Sequence, residues 1–444
     1  MRRGPFAPIL AFAFSCAGAA EASPEDLFSY GTRSPAMGGT GAASADGFEA
    51  AYLNPALLSR LRERKLTLGL QTATFSLDAS GEGLPGRLSS KRAKGVVIGV
   101  DLPVPFGGAL KDRVGIGLAF YTPTDVIVRG RLLYPETPQY PLLPDRAQSL
   151  MIRVGAGADL GYGLRVGAGF AALAEIAGTV LVATDATGRV GTRVEDQLIA
   201  TYAPTFGITY DLPLKITQRV RVGLVYRGTL DARFSVGIDA TTLSTLKLPL
   251  FNIAGLAQYD PAQIALEIAT ETEHFTIAAG ATYKRWSKYP GPLEPTILCP
   301  AESPDCSALR PPRIAYDDTV VVRLGVDYAI LAARGLTAHV RGGGFLEPNP
   351  LPSQVPTSQA YDASSRQTVE LPTRYFNATR VALTWGAGLE LARPLPPVNL
   401  DLYGQYHVLL PNDVASRAPD GTSAPVGRAS GHVVVGGLLA GVRF

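Results

Sequence analysis

The residues that could bind a metal or act as nucleophiles are few and far apart in this sequence. Four histidines, His274, His339, His407 and His432, lie in separate segments of the 444-residue chain, and there are three cysteines. A zinc site needs three or four such side chains at short spacings. No serine, histidine and acidic residue form a convincing catalytic set either. We therefore expect no metal, no cofactor and no enzymatic activity.

Charged side chains instead recur at alternate positions, with apolar residues between them. Arg221 lies in a segment where every second residue, from Val220 to Tyr226, is apolar. Successive strand residues point to opposite faces of a sheet, so the pattern predicts strands with one apolar and one polar face. The polar positions carry acids and arginines together: Glu267, Asp327, Glu390, Asp401, Arg227, Arg323 and Arg380. We interpret them as a charge-compensated interior, although a soluble sandwich alternates in the same way.

The composition excludes several classes of protein. Lys and Arg number 41 and Asp and Glu 38, so the net charge is only +3 and we expect no nucleic acid partner. Charged residues make up 18% of the chain, against about 25% in ordinary soluble domains, whereas Gly (48) and Pro (35) are abundant. Beyond the first twenty residues, no run of about 18 apolar residues could form a membrane helix. A large, glycine-rich, all-β protein remains.

The N-terminal segment predicts export. Arg2 and Arg3 precede an uncharged stretch that ends in small residues, and we assign residues 1–22 as a signal peptide. Cys16 lies inside this segment, and the residues before it make a poor lipoprotein signal.

The other two cysteines, Cys299 and Cys306, lie in a proline-rich stretch. In an exported chain such a pair indicates a disulfide. Two free thiols are the alternative, and a metal site would need ligands that the scattered histidines do not supply.

The connection lengths favour a barrel over a sandwich. Strands are predicted to begin near fourteen residues: Leu66, Lys94, Arg113, Gln148, Leu164, Val194, Arg219, Ala262, His274, Thr319, Leu336, Ala378, Val398 and Gly431. Long connections, among them residues 78–92, 238–261 and 411–430, alternate with short ones near Gly161 and Glu271. Outer-membrane barrels have an even number of strands, long extracellular loops and short periplasmic turns. We therefore predict an all-β fold, a transmembrane antiparallel β-barrel of about 14 strands over residues 63–444, with residues 78–92 and 411–430 extracellular.

The C-terminal segment is typical of the last strand of a barrel, which pairs with the first strand. Val434, Leu438, Val442 and the terminal Phe444 share one face. A terminal aromatic residue at this parity is usual in outer-membrane barrels, and we expect the barrel assembly machinery to recognise Phe444. The expected location is the cell outer membrane, among its lipids, as a monomer.

A glycine-rich segment precedes the first strand and resembles a known family. It contains Gly38-Gly39-Thr40-Gly41, ends at Asp46, and is followed by Asn54-Pro55-Ala56. A phosphate-binding loop would end in Lys-Ser/Thr, which is missing here. The segment is similar to the N-terminal hatch of the FadL/TodX family of outer-membrane transporters, in which the Asn-Pro-Ala triplet is central. Residues 221–234, 283–287 and 342–352 are similar to later family segments in the same order.

The resemblance implies a function and a set of sites. Residues 23–62 would form a hatch that plugs the barrel from the periplasmic side. Hydrophobic compounds, foremost long-chain fatty acids, would be captured by extracellular loops, bound in the lumen and released sideways through a kinked third strand. We assign hatch contacts with the ligand to Leu27 and Phe28. Arg227, Arg323 and Arg380 would either bind an acidic head group or balance interior acids.

Two further sites are read from the residues themselves. Pro123 ends the third predicted strand and has no N–H to donate, so it either opens the wall there or simply ends the strand at the rim. Residues 248–256 form an apolar loop where a polar one is expected, and they either contact the ligand first or fold onto the rim. The apolar side chains of this loop are Leu248, Leu250, Phe251, Ile253 and Leu256.

Two other functions fit the same barrel. A structural or secretion-associated barrel of the same superfamily would carry no ligand, and a sample purified free of lipid would favour it. An outer-membrane lipid hydrolase would show esterase activity in detergent.

Overall fold

The computed structural model of the chain describes residues 27–125, 135–143, 150–184, 190–214, 218–242, 250–298, 313–333, 335–362, 367–392 and 396–444. Its helices are short: α1 (Arg33–Ala36), α2 (Ala50–Leu53), and 3-10 turns at Gly47–Glu49, Pro55–Arg60, Gly108–Leu110 and Trp286–Lys288. Among the residues described, no helix is long and apolar enough to cross a membrane. The predicted signal peptide, Leu248, Cys299 and Cys306 lie outside the described residues.

The rest of the described chain is mainly β-structure. The strands are β1 (Lys65–Ser80), β2 (Gly86–Leu88), β3 (Ala93–Pro103), β4 (Val114–Pro123), β5 (Met151–Gly161), β6 (Leu164–Thr184), β7 (Val190–Asp211), β8 (Arg219–Arg227), β9 (Leu230–Thr242), β10 (Leu250–Asp260), β11 (Gln263–Glu271), β12 (Phe275–Lys284), β13 (Leu293–Leu298), β14 (Thr319–Ala333), β15 (Leu336–Glu347), β16 (Gln354–Pro356), β17 (Ser358–Asp362), β18 (Gln367–Leu371), β19 (Arg380–Leu391), β20 (Val398–Arg417) and β21 (Ser423–Arg443).

Fourteen of these strands form a closed antiparallel barrel. Their order is β1, β3, β4, β5, β6, β7, β8, β11, β12, β14, β15, β19, β20, β21. The barrel closes because β21 pairs with β1 from Lys65↔Arg443 to Ser80↔Arg428. The predicted fold and strand number are confirmed, and most predicted starts lie within a few residues of the observed ones.

We call the end at Lys65 and Arg443 the base and the opposite end the rim. Connections at the base are short, as at residues 162–163 and 272–274. The rim carries additional strands. There β9 pairs in parallel with β6 and antiparallel with β10, which in turn pairs with β13.

Two predicted rim loops are wrong. Residues 411–430 are mostly strand, because β20 runs to Arg417 and β21 begins at Ser423. The described part of the apolar segment 248–256 belongs to β10 rather than to a loop. In both places neighbouring strands continue to pair beyond the barrel wall, β20 with β21 and β9 with β10, where the sequence analysis had placed loops.

The outer face of the barrel is apolar. On β14, Val320, Val322 and Leu324 are about half exposed, whereas Val321 between them is fully buried. The same alternation recurs on β11, β19 and β20. Such a surface is stable against lipid hydrocarbon rather than water.

Candidate functional site

The lumen is occupied by the N-terminal segment, residues 27–62, which we call the hatch. Most hatch residues are buried, including Tyr30, Met37, Leu53 and Leu58. The hatch backbone approaches the barrel wall closely because the wall has glycine residues at the points of contact. A Cβ added at Gly223 would lie 1.9 Å from the Ala42 carbonyl oxygen, and one at Gly207 would lie 2.0 Å from Asn54 Oδ1. Side chains at these two positions would exclude the hatch.

Asn54-Pro55-Ala56 lies at the junction of the hatch and the wall. Asn54 is fully buried, and its Nδ2 donates to the Ala42 carbonyl at 2.5 Å and to Ile208 O of β7 at 3.3 Å. Its Oδ1 accepts the Ala56 N–H at 3.1 Å, and Pro55 begins the 3-10 turn Pro55–Arg60. Proline suits this first position because it has no N–H to leave unpaired. The triplet thus joins two parts of the hatch and contacts the barrel.

A buried carboxylate, that of Glu49, joins two parts of the hatch. Glu49 accepts the backbone N–H groups of Thr32, Arg33 and Ser34 at 2.8 to 3.0 Å. Burial raises the pKa of the Glu49 carboxyl, and these N–H bonds oppose that rise. The contact joins the N-terminal end of α1 to the 3-10 turn Gly47–Glu49 within the hatch.

The three candidate arginines have different partners. Arg227 donates to the Tyr52 and Leu53 carbonyls at 2.9 and 3.0 Å, at the C-terminal end of α2, and its guanidinium lies 4.4 Å from the Tyr52 ring centre. Cations are favoured at a helix C-terminus, so Arg227 supports the hatch.

Arg323 and Arg380 come together around one aromatic ring. Their guanidinium groups lie 5.3 and 5.2 Å from the centre of Phe345. Arg380 also pairs with buried Glu347, which in turn contacts Lys284 Nζ at 2.7 Å. Arg323 reaches Gly38 O of the hatch at 3.4 Å. All three arginines therefore already have partners in the folded barrel, and a ligand head group would compete with them.

Leu27 and Phe28, the first described residues of the hatch, belong to a buried apolar cluster formed by hatch and wall residues. Both are buried, and the Phe28 ring stacks on Tyr121 of β4 with centres 5.6 Å apart. Met151, the first residue of β5, belongs to the same buried cluster. Tyr121↔Met151 is also the last pair of β4 with β5 among the described residues, so Phe28 lies beside this point of the wall.

Pro123 lies two residues beyond that point, as the last residue of β4. It remains in register with Gly95 of β3, and the next N–H, of Thr124, donates to Lys94 O of β3 at 3.0 Å. Alternate N–H groups of an antiparallel strand face one neighbour, so position 123 faces β5. The missing donor of Pro123 therefore falls on the side of the β4–β5 seam, at the rim end of an otherwise regular strand.

A segment that sequence reasoning missed covers the rim. Residues 135–143 place Tyr140, Leu142 and Leu143 in the buried core. The Tyr140 hydroxyl donates to Asp78 O of β1 at 2.7 Å and accepts from Ser430 N of β21 at 3.0 Å. Burial raises the pKa of the Tyr140 phenol above its usual value. Nothing in the local pattern marks Tyr140, because its partners lie far away in sequence.

We expect Tyr140→Phe to speed the entry of a ligand from the rim. The change leaves the Ser430 N–H and the Asp78 carbonyl without this partner, at a cost of about 1–3 kcal/mol per buried group. Initial uptake at limiting ligand concentration should rise. Tyr375→Phe is the matched control, since Tyr375 is equally buried and lies in the adjacent segment, where it bridges Gln139. Equal rates in both variants would contradict a covering role.

Within the described part of the chain, cavities lie at both ends of the barrel. One of about 320 Å³ lies at the base, lined by charged groups including Lys65, Asp101, His339 and Arg443. One of about 490 Å³ lies at the rim, lined by Pro352, Pro356, Pro419, Arg313 and Arg417, among others.

Solved structures of other proteins have the same fold as this chain. No family model and no curated protein matches the sequence. Among solved structures, a Pseudomonas aeruginosa FadL homologue has a TM-score of 0.61 at 15% identity, covering 94% of this chain and 100% of that chain. The Pseudomonas putida toluene transporter TodX has a TM-score of 0.53 at 15% identity, covering 94% and 99%. The monoaromatic hydrocarbon channel CymD has a TM-score of 0.52 at 16% identity, covering 95% and 98%. The chain has the barrel fold of these transporters.

Proposed function

We propose that the chain is an outer-membrane channel of the FadL/TodX type for hydrophobic compounds. The observation that carries the proposal is a closed, lipid-compatible barrel whose lumen holds a docked hatch, with a buried apolar cluster between hatch and wall. Solved structures of the same fold are described as transporters of toluene and monoaromatic hydrocarbons and as a FadL homologue. An apolar compound crosses the polar outer surface of a cell poorly, and apolar sites along a barrel supply a path for it.

The proposed path has three stages. Capture takes place at the rim, by β10 or by the rim cavity, whose prolines and arginines suit an amphipathic molecule. The ligand then binds in the apolar cluster of Leu27, Phe28, Tyr121 and Met151. It leaves sideways through the β4–β5 seam, where Pro123 limits the ladder.

Long-chain fatty acids are the substrates that we favour within this class. Arg323 and Arg380 around Phe345 offer cationic groups to a carboxylate. Because both arginines also have partners in the barrel and hatch, neutral hydrocarbons are the alternative substrates.

Uptake of both ligand types tests the proposal. Cells that express the chain should accumulate radiolabelled oleate faster than cells with an empty vector, and labelled toluene is measured in parallel. Mass spectrometry of the lipid that co-purifies identifies the natural ligand. The transport function would be contradicted if the barrel is inserted in the membrane but raises the uptake rate of neither compound and purifies free of lipid.

The orientation gives a separate prediction. The rim faces outward in the proposal, so a cysteine at Ser423, the exposed first residue of β21, should react with an impermeant maleimide on intact cells. The matched control is a cysteine at Glu273, in the base turn between β11 and β12. Glu273→Cys should react only after lysis. The reverse pattern would overturn the orientation.

A further inference from the structure

We propose that Glu267 is a positioning residue that keeps the hatch docked against the barrel wall, so that the lumen is closed. The inference rests on the proposed channel function. Glu267 is on β11, and its side chain is buried between the wall and the hatch. One of its oxygens accepts the N–H groups of Gly41 and Ala42 at 2.6 and 3.0 Å. The other accepts Ala43 N–H at 3.0 Å and the Ser44 hydroxyl at 2.7 Å.

Three consecutive backbone N–H groups that point at one anion form a nest. Such nests carry concentrated positive partial charge and bind phosphate or carboxylate groups. Here the hatch supplies the nest and the barrel supplies the anion. Every one of the four hydrogen bonds therefore joins the hatch to the wall, and each is strengthened by the charge of the carboxylate.

The wall around Glu267 is shaped for this contact. Glu267 pairs across the ladder with Gly223 on β8 and Gly280 on β12. Neither neighbour has a side chain, so the backbone at Ala42 lies directly against the wall at Gly223. The nest could not reach the carboxylate past larger residues at these positions.

Asn54 does a different job from Glu267, whereas Arg221 also joins the wall to this segment by donating to Ala43 O at 3.1 Å. Asn54 bonds mainly within the hatch, to Ala42 O and Ala56 N, and its bond to the barrel at Ile208 O is longer, at 3.3 Å. Asn54 and Glu267 thus hold the same peptide segment, Asn54 at the Ala42 carbonyl and Glu267 at the Ala42 N–H. Asn54 shapes the hatch, whereas Glu267 attaches it to the wall.

The test compares Glu267→Gln with Glu347→Gln. Glutamine cannot carry the charge, and its amide nitrogen would face N–H donors. Glu347 is a matched control because it is a fully buried lumenal glutamate whose bonded partners, Lys284 and Arg380, belong to the barrel. Hydrogen exchange measured by mass spectrometry should show faster exchange at residues 41–44 in Glu267→Gln only. In proteoliposomes, entry of a small hydrophilic dye should rise about tenfold for Glu267→Gln and remain unchanged for Glu347→Gln.

A second variant guards against a folding failure. Glu267→Ala leaves the nest without its anion, and acetate in excess should restore protection of residues 41–44, whereas chloride at equal ionic strength should not. The exchange readout reports hatch docking whether or not the barrel transports a ligand, so its outcome is separate from that of the uptake assay. Unchanged exchange at residues 41–44 in Glu267→Gln, or equal changes in Glu347→Gln, would overturn the proposal.

Discussion

Asn54→Ala is expected to admit small hydrophilic dyes into cells while the barrel itself stays folded. The amide of Asn54 is the shared partner of the Ala42 carbonyl and the Ala56 N–H, inside a fully buried environment. Alanine leaves both groups unpaired, and each unpaired buried group costs about 1–3 kcal/mol. The hatch bears this cost because its turns are short and contribute few hydrogen bonds of their own. The fourteen-strand ladder does not depend on Asn54.

The size of the effect follows from the docking equilibrium. A loss of about 2–4 kcal/mol raises the fraction of open hatches about 30- to 1,000-fold. Dye entry is measured in cells, and the heat-modifiable mobility of the barrel on a denaturing gel reports its folding. Asn377→Ala is the matched control, since Asn377 is a buried amide that bonds to Asn349 in the rim loops and not to the hatch. If dye enters cells with Asn54→Ala no faster than cells with the parent chain, the Asn-Pro-Ala triplet does not keep the hatch closed.

Pro123→Val is expected to slow the uptake of hydrophobic compounds without any leakage of hydrophilic ones. Valine restores an N–H on the side of β4 that faces β5, next to Tyr121↔Met151, the last pair of these two strands among the described residues. A valine also favours strand geometry. One additional ladder bond contributes about 1 kcal/mol, which corresponds to an uptake rate about fivefold lower if the seam must open for release.

The neighbouring residue supplies the control for this effect. Thr122→Val introduces the same side chain one position earlier and adds no new backbone donor. Labelled oleate and a hydrophilic dye are followed in the same cells for both variants. An oleate rate in Pro123→Val equal to that of the parent chain would remove the lateral release route, and Pro123 would then only end the strand.

Asn54→Ala and Pro123→Val thus separate two barriers. Loss of hatch packing opens a path along the barrel axis, which water-soluble molecules can use. A tighter seam closes a path through the wall, which only apolar molecules use. Opposite phenotypes from two single substitutions would be difficult to obtain from general destabilisation.

The sequence alone determined the barrel. Period-two alternation on β8, β14 and β20 placed Arg221 and Asp327 inside and Leu224 and Val326 outside, and the structure agrees. This succeeds because lipid-facing positions must be apolar along the whole strand, whatever its neighbours are. The fourteen starts and the alternating connections followed from the same local rule. The hatch segment was also identifiable, since its glycines and the Asn54-Pro55-Ala56 triplet are contiguous.

Only the tertiary structure decided how distant segments meet. The nest at residues 41–44 and Glu267 are separated by more than two hundred residues, and neither has a local pattern that names its partner. No local pattern names Asp78 and Ser430 as the partners of Tyr140, or shows that β10 is a strand that pairs with β9 and β13. The type of a polar residue that faces the lumen depends on the hydrogen-bonding groups that it contacts there, and not on the bilayer. Its partner is therefore fixed by closure of the barrel and docking of the hatch, which no single segment encodes.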